Sequence, residues 1–337
     1  MKSVTIVQPG TLVIEERQPV QPQQGEVRIR VASAGICGSD VHIYRGHNPF
    51  AKYPRVIGHE FFGHIDAVGE GVPALRIGER VVGDPVVSCG HCYPCSVGRP
   101  NVCAELQVIG VHRDGGFSEF VTLPAKNAHR VPDSIPDDEA TMVEPFTIAA
   151  NICSQMNPGP LDTALIYGAG PMGLTSIQAL RGVYGVKEII VVDRIDERLA
   201  MAKDNGADRI INNASLDLKT ELETLGIRPT LIIDAACHPG ILPEAISLAS
   251  PAARIGIMGF SADPCVLNQQ GITSKELTIY SSRLNSNRFP QVISWMAEQK
   301  IKPEKLITHQ FSYTEVREAM DIFEKDQKLC CKVLLKF

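Results

Sequence analysis

Four cysteines fall within fifteen positions, at Cys89, Cys92, Cys95 and Cys103, spaced x2, x2 and x7. Four thiolates on such short spacers can wrap one tetrahedral zinc ion at about 2.3 Å per bond and leave no position open, so the motif implies a closed, structural site. Gly90, Pro94, Gly98 and Pro100 argue against regular structure in this lobe, which a metal cross-link would rigidify. Iron–sulfur ligation also takes four cysteines, but ferredoxin-like runs carry a proline after the last one, and here Ala104 follows Cys103. The remaining six cysteines, at positions 37, 153, 237, 265, 330 and 331, are scattered. With no secretion-type segment in Met1-Lys2-Ser3-Val4-Thr5-Ile6-Val7, metal ligands and background thiols are expected rather than disulfides.

A second set of residues is open rather than closed. Cys37 lies in Gly35-Ile36-Cys37-Gly38-Ser39-Asp40-Val41-His42 and His59 in Gly58-His59-Glu60, so two glycine-flanked turns offer a thiolate and an imidazole. A carboxylate would complete a three-ligand zinc with its fourth position free for an incoming oxygen. Glu144, in Val143-Glu144-Pro145, is the better candidate; Glu60 could replace it, or alternate with it as water and substrate exchange. A lone cysteine or histidine is more often a core residue, and it is the company of the four-cysteine lobe that turns this pair toward metal.

The third set is Tyr167-Gly168-Ala169-Gly170-Pro171-Met172-Gly173, directly after the strand-like Ala164-Leu165-Ile166-Tyr167. Gly168 permits a tight turn, Gly170 lets backbone approach a pyrophosphate, and Gly173 lets the following helix pack on the strand, with its N-terminus facing phosphate. Twenty residues past Gly173, the strand-like Glu188-Ile189-Ile190-Val191-Val192 ends at Asp193, where a carboxylate can bind both ribose hydroxyls of NAD and repel the 2'-phosphate of NADP. Arg194 and Arg198 lie close enough to accommodate that phosphate, so NAD is the expected cofactor and NADP the less favoured one.

The elements that must position these groups change texture near residue 155. Before it, short alternating runs such as Glu26-Val27-Arg28-Ile29-Arg30-Val31, punctuated by Gly and Pro, suit a β-barrel-like domain. After it, strand-like runs at 163–168, 188–193, 230–234 and 254–259 alternate with helix-length gaps, as parallel βαβ units require, with further strands available at Arg209 to Asn212 and Leu277 to Tyr280. From about 284 the chain turns helical, through Phe289 to Glu298 and Tyr313 to Phe323, then ends in the strand-like Cys331-Lys332-Val333-Leu334-Leu335. The expectation is an α/β protein of two domains: residues 1–154 completed by 284–337, and a doubly wound parallel sheet over 155–283. Charged residues total 33 basic and 38 acidic, for a net charge of −5, with no basic block, which excludes a nucleic-acid footprint. No apolar run is long enough to span a membrane, so a cytoplasmic protein without a membrane partner is expected.

Taken in this order, these motifs resemble those of the zinc-containing medium-chain alcohol dehydrogenases over essentially the whole chain, the segment Arg55-Val56-Ile57-Gly58-His59-Glu60 included. Within that family the chain is most similar to the sorbitol, threonine and L-galactonate dehydrogenase branch. The resemblance implies a GroES-like β-barrel catalytic domain plus a Rossmann NAD-binding domain, two zinc ions per chain, and hydride transfer from a secondary hydroxyl to NAD. Cys37, His59 and Glu60 or Glu144 then match the catalytic zinc ligands, Asp40 the residue holding the ligand imidazole, and Ser39 and His42 the proton relay. It also implies that Arg283 and Asn285, in Ser282-Arg283-Leu284-Asn285, approach the substrate. Ile43 follows His42 where sorbitol enzymes carry a tyrosine, and Arg45, His47, Asn48 and His112-Arg113 offer polar contacts that favour an aldonate, so a sugar acid or another polyol is expected rather than sorbitol. The family forms homodimers and homotetramers through the nucleotide domain, with Leu277 to Tyr280 the natural edge to pair. A different class of reading is a sensor that binds NAD or a metabolite on this fold without turnover; a proton relay beside an open metal position argues for the enzyme.

Overall fold

The computed structural model describes all residues from Met1 to Phe337. The chain groups into two compact units: Met1–Glu144 with Ser286–Glu298 and Pro303–Phe337, and Pro145–Asn285 with Gln299–Lys302. The division falls at Glu144, inside the helix Val143–Met156, where the sequence texture alone suggests a boundary near 154.

The first unit is built on one long sheet, in the order Ala128–Arg130, Arg80–Gly83, Glu60–Val68, Glu26–Gly35, Lys332–Lys336 and Ile307–Ser312, with Phe120–Pro124 also paired to Glu26–Gly35. Strand Glu26–Gly35 is central, its alternation burying Val27, Ile29 and Val31 on one face, and the neighbouring strand buries Phe61, Phe62 and Ile65. Each such side chain contributes about 1.5–3 kcal/mol by leaving water. The register sets Gly35 opposite both Glu60 and Leu334, so three distant segments meet beside the turn that holds Cys37. The C-terminal strand earns its place with Val333, Leu334 and Leu335, all fully buried. The expected helix from Tyr313 starts as a 3-10 turn, Tyr313–Glu315, before the helix Val316–Lys325, because a Ser312/Glu315 capping box fixes the entry.

The cysteine lobe is less irregular than its glycines and prolines suggest. It holds the short helix Tyr93–Ser96, with Pro94 tolerated in the first turn, and the 3-10 turn Pro100–Val102.

The second unit is a six-stranded, wholly parallel sheet in the order Arg209–Asn212, Glu188–Asp193, Thr163–Tyr167, Leu231–Asp234, Arg254–Ile257 and Thr278–Ser281. Chain order reverses between Thr163–Tyr167 and Leu231–Asp234, the switch point at which doubly wound sheets bind ligands past their carboxyl ends. The inner strands read as continuous apolar runs because both faces are covered. Thr278–Ser281 stands at the sheet's edge and is half exposed. No helix is long and apolar enough to cross a membrane.

Candidate metal and dinucleotide sites

In the lobe, Cys92 Sγ lies 3.5 Å from Cys95 Sγ and 3.7 Å from Cys103 Sγ, which is 3.5 Å from Cys89 Sγ. These separations approach the edge of about 3.8 Å that a tetrahedron with 2.3 Å bonds requires, and far exceed a disulfide bond. Backbone N–H groups of Cys89, Ala104 and Glu105 donate to the sulfurs at 3.3–3.4 Å. The Cys92 thiol is lowered to about 6, first by the Ala104 N–H and next by that of Cys95, so the thiolate that zinc needs is favoured.

Cys37 immediately precedes the helix Gly38–Tyr44, whose first turn carries Ser39 and Asp40. The Asp40 carboxylate is fully buried and accepts from the Cys37 N–H at 2.9 Å and from the Gly58 N–H at 3.1 Å. It thereby ties together the two turns that carry the thiol and the imidazole. Gly58 sits at φ +92, and the Phe117 ring fills the space a β-carbon would need. His59 Nδ1 faces Asp40 Oδ1 at 3.7 Å, while Nε2 points toward Ser39 Oγ at 3.5 Å. Burial pulls the His59 pKa down, but Asp40 and then Cys37 outweigh it and hold the imidazole well above its ordinary value. His42 is exposed on the same helix, three residues after Ser39, with its ring 6.3 Å from that of His47.

The ligand atoms of Cys37, His59 and Glu60 all lie within 4.8 Å of one another, a soft-and-hard donor set that suits zinc. Glu60 is not alone, however: the Lys332 ammonium hydrogen-bonds both its carboxylate oxygens and, at 3.2 Å, the Ile36 carbonyl. Both side chains are 1% exposed. Burial disfavours the charge on Lys332, but Glu60 first and then Cys37 keep its pKa above the usual lysine value. Glu144, buried in the first turn of Val143–Met156, has its carboxyl pushed up to about 7, by burial above all, with Glu60 adding to the rise and His59 opposing it. Sequence reasoning missed Lys332; the signal was a lysine inside the apolar run Cys330-Cys331-Lys332-Val333-Leu334-Leu335.

In the second unit, Gly168 adopts φ +94 at the end of its strand, and a β-carbon on Gly173 would overlap the Gly168 carbonyl. Gly170, extended, precedes the helix Pro171–Gly182. The Asp193 carboxylate accepts from the backbone N–H groups of Ala169, Arg194 and Ile195 at 2.7–3.0 Å, fixing it beside the glycine turn. Arg198 Nη1 reaches to 4.0 Å from where a Gly170 β-carbon would stand; Arg194 is exposed. Arg283 lies over the Phe260 ring at 5.5 Å, and Asn285 is fully buried. Of the other polar residues expected near substrate, Arg45 pairs with Glu324 and Arg113 with Glu26, and Asn48 Oδ1 accepts from the Phe50 N–H, so all three serve local structure.

Two family models match: the alcohol dehydrogenase GroES-like domain over residues 23–133 and the zinc-binding dehydrogenase over 171–298. The chain belongs to the zinc-binding alcohol dehydrogenases, a family of oxidoreductases. It is similar to the starvation-sensing protein RspB of Escherichia coli K12, 64% identical over 100% of this chain and 99% of that one. It is also similar to the sorbitol dehydrogenase of Bacillus subtilis 168, 31% identical over 99% and 97%. Among solved structures, the rspB alcohol dehydrogenase of E. coli CFT073, complexed with its cofactor NADH, superposes with a TM-score of 0.98 at 63% identity, covering 100% and 99%.

Proposed function

We propose that this chain oxidises a secondary hydroxyl of a polyol or sugar acid, with NAD as hydride acceptor and zinc held by Cys37, His59 and Glu144. The convergence of Cys37 and His59, with Asp40 clamped between their turns, carries the reading. Zinc bound there supplies Lewis acidity that lowers the hydroxyl's pKa, and NAD supplies the redox chemistry. The chain's own groups do the rest. Asp40 faces His59 Nδ1 and thereby leaves Nε2 for the metal. Ser39 and His42 are assigned to the proton relay, in which each group that takes a proton gives up its own and the exposed His42 releases one to solvent. Gly168, Gly170 and Gly173 cradle the pyrophosphate, Asp193 the ribose, and Arg198 adds positive charge beside the turn. Cys89, Cys92, Cys95 and Cys103 hold a second, structural zinc. Arg283 and Asn285 are assigned to substrate.

The substrate class rests on the resemblance to dehydrogenases of sorbitol, threonine and L-galactonate, and NAD on Asp193 together with the NADH held by the similar E. coli structure. We further infer a cytoplasmic homodimer or homotetramer that pairs through Thr278–Ser281. The test is a screen of polyols and aldonates with NAD, read as NADH absorbance, alongside metal analysis. About two zinc ions per chain and turnover abolished by Cys37→Ser are expected. NADH binding without turnover on any such substrate would instead favour a sensor, and full activity in Cys37→Ser would remove the catalytic centre.

A further inference from the structure

We propose that a cationic cavity in the first unit, walled by segments within 50–55 and 105–112, binds the carboxylate of a polyhydroxy acid, and that Lys52 and Arg55 are the residues that tell an acid substrate from a neutral polyol. This rests on the dehydrogenase reading above and narrows its substrate class. The cavity measures about 370 Å³, within the range of small-ligand sites. Arg55 lines it with 15% of its side chain exposed. Its Nη1 donates to Asp114 Oδ1 at 2.9 Å, but its Nε is buried and meets no acceptor. That N–H belongs to the side-on edge of the guanidinium, which takes a carboxylate through two parallel bonds, and a buried charged donor without an acceptor is a group that a ligand or ion completes. Lys52, three residues earlier, is exposed and pairs with no carboxylate.

The walls are held by their own bonds. Asn48 Oδ1 accepts from the N–H groups of Phe50 and Ala51, and the Tyr53 hydroxyl donates to the Ile43 carbonyl, so the segment carrying Lys52 is tied down at both ends. On the facing wall the Val108 N–H donates to His112 Nδ1 at 3.0 Å, which places the ring proton on Nε2, a further donor at the lining. Charge selects the occupant. Lys52 and Arg55 against Glu105 leave the lining one positive charge, while Asp114 divides its two oxygens between Arg55 and Arg17. A carboxylate neutralises that charge, and a phosphate dianion would overshoot it. Glu105 and Gln107 supply acceptors and an amide donor for hydroxyls along the chain of the acid. Both walls also join the turn that carries His59. The Gly115 N–H donates to the Val56 carbonyl and the Gly116 N–H to the Gly58 carbonyl, each at 2.8 Å, and Arg55 lies four residues before His59, so their Cα atoms are at most about 14 Å apart.

The experiment measures binding by calorimetry to the zinc-loaded protein saturated with NADH, using D-gluconate and L-galactonate, each beside the polyol that reduction of its carboxyl gives, sorbitol and galactitol. At least one acid should bind about tenfold or more tightly than its polyol, and Lys52→Met and Arg55→Met should each cut that ratio by about tenfold, in the range of a lost charge-assisted bond. In turnover with NAD the loss should appear as a raised KM for the acid with kcat changed less than about twofold. Equal affinity for acid and polyol, or a ratio that survives both substitutions, would overturn the proposal. Arg55→Met also gives up the Asp114 pair; should it not fold, Lys52→Met decides alone, because its side chain holds no partner in the fold. Failure of the dehydrogenase reading looks different: the acid binds and the variants lose it, yet no NADH forms when the wild-type protein is given NAD.

Discussion

At the scale of single residues, the first unit's chemistry depends on carboxylates whose neighbours assign them different tasks. Asp40 has its charge satisfied by two backbone N–H groups and by the imidazole it faces, and so acts as a clamp. Asp40→Asn keeps the shape but removes the charge opposite His59. We expect affinity for the open-site metal to fall about 10–100-fold while the lobe metal stays bound, measured by competition with a chelator. In the second unit, Asp193 is held by three backbone N–H groups beside the glycine turn. Asp193→Gly removes the carboxylate that we propose repels a 2'-phosphate and leaves Arg198 in place. The ratio of kcat/KM with NAD to that with NADP should therefore drop by at least about tenfold; an unchanged ratio would mean that another group reads the ribose.

At the scale of elements, the returning C-terminal segment matters as much as the N-terminal strands it joins. The helix Phe289–Ala297 stacks Phe289 on His129, with ring centroids 5.1 Å apart at 15°, against the strand Ala128–Arg130. Burial first, and Arg76 second, lowers the His129 pKa to about 4 from 6.5. The unfolded chain therefore binds more protons than the folded one between those values, so the neutral imidazole's contribution is complete above about 6.5 and is lost as pH falls toward 4. The shift is worth about 3 kcal/mol as an upper bound. His129→Gln should flatten the decline of stability between pH 6.5 and 4, followed by denaturant unfolding at a series of pH values; an equally steep decline would place the sensitivity elsewhere.

At the scale of the whole molecule, the parallel sheet ends in an edge with free backbone groups. Thr278 N and Ser282 N donate to Ala253 O and Ile257 O, so alternation turns the amides of Ile279 and Ser281 outward. If two chains pair there, Ser281→Pro removes a donor from the interface without touching the sheet's own ladder. The expected result is a smaller particle in light scattering after gel filtration, and an unchanged mass would locate the interface on another surface.

The sequence by itself marked the lobe as a candidate closed site, because short spacers bring Cys89, Cys92, Cys95 and Cys103 within reach whatever the rest of the chain does. It also determined the glycine turn and its distant Asp193, since one strand–turn–helix unit positions both. Only the tertiary structure decided how Glu60 differs from Glu144. The partner that sets Glu60 apart, Lys332, lies 272 residues away. Their meeting depends on the register of three strands around Gly35, and a slip of one residue would turn either side chain to the opposite face. Spacing can name the donors near a metal, but which carboxylate is already neutralised is a property of the packed sheet.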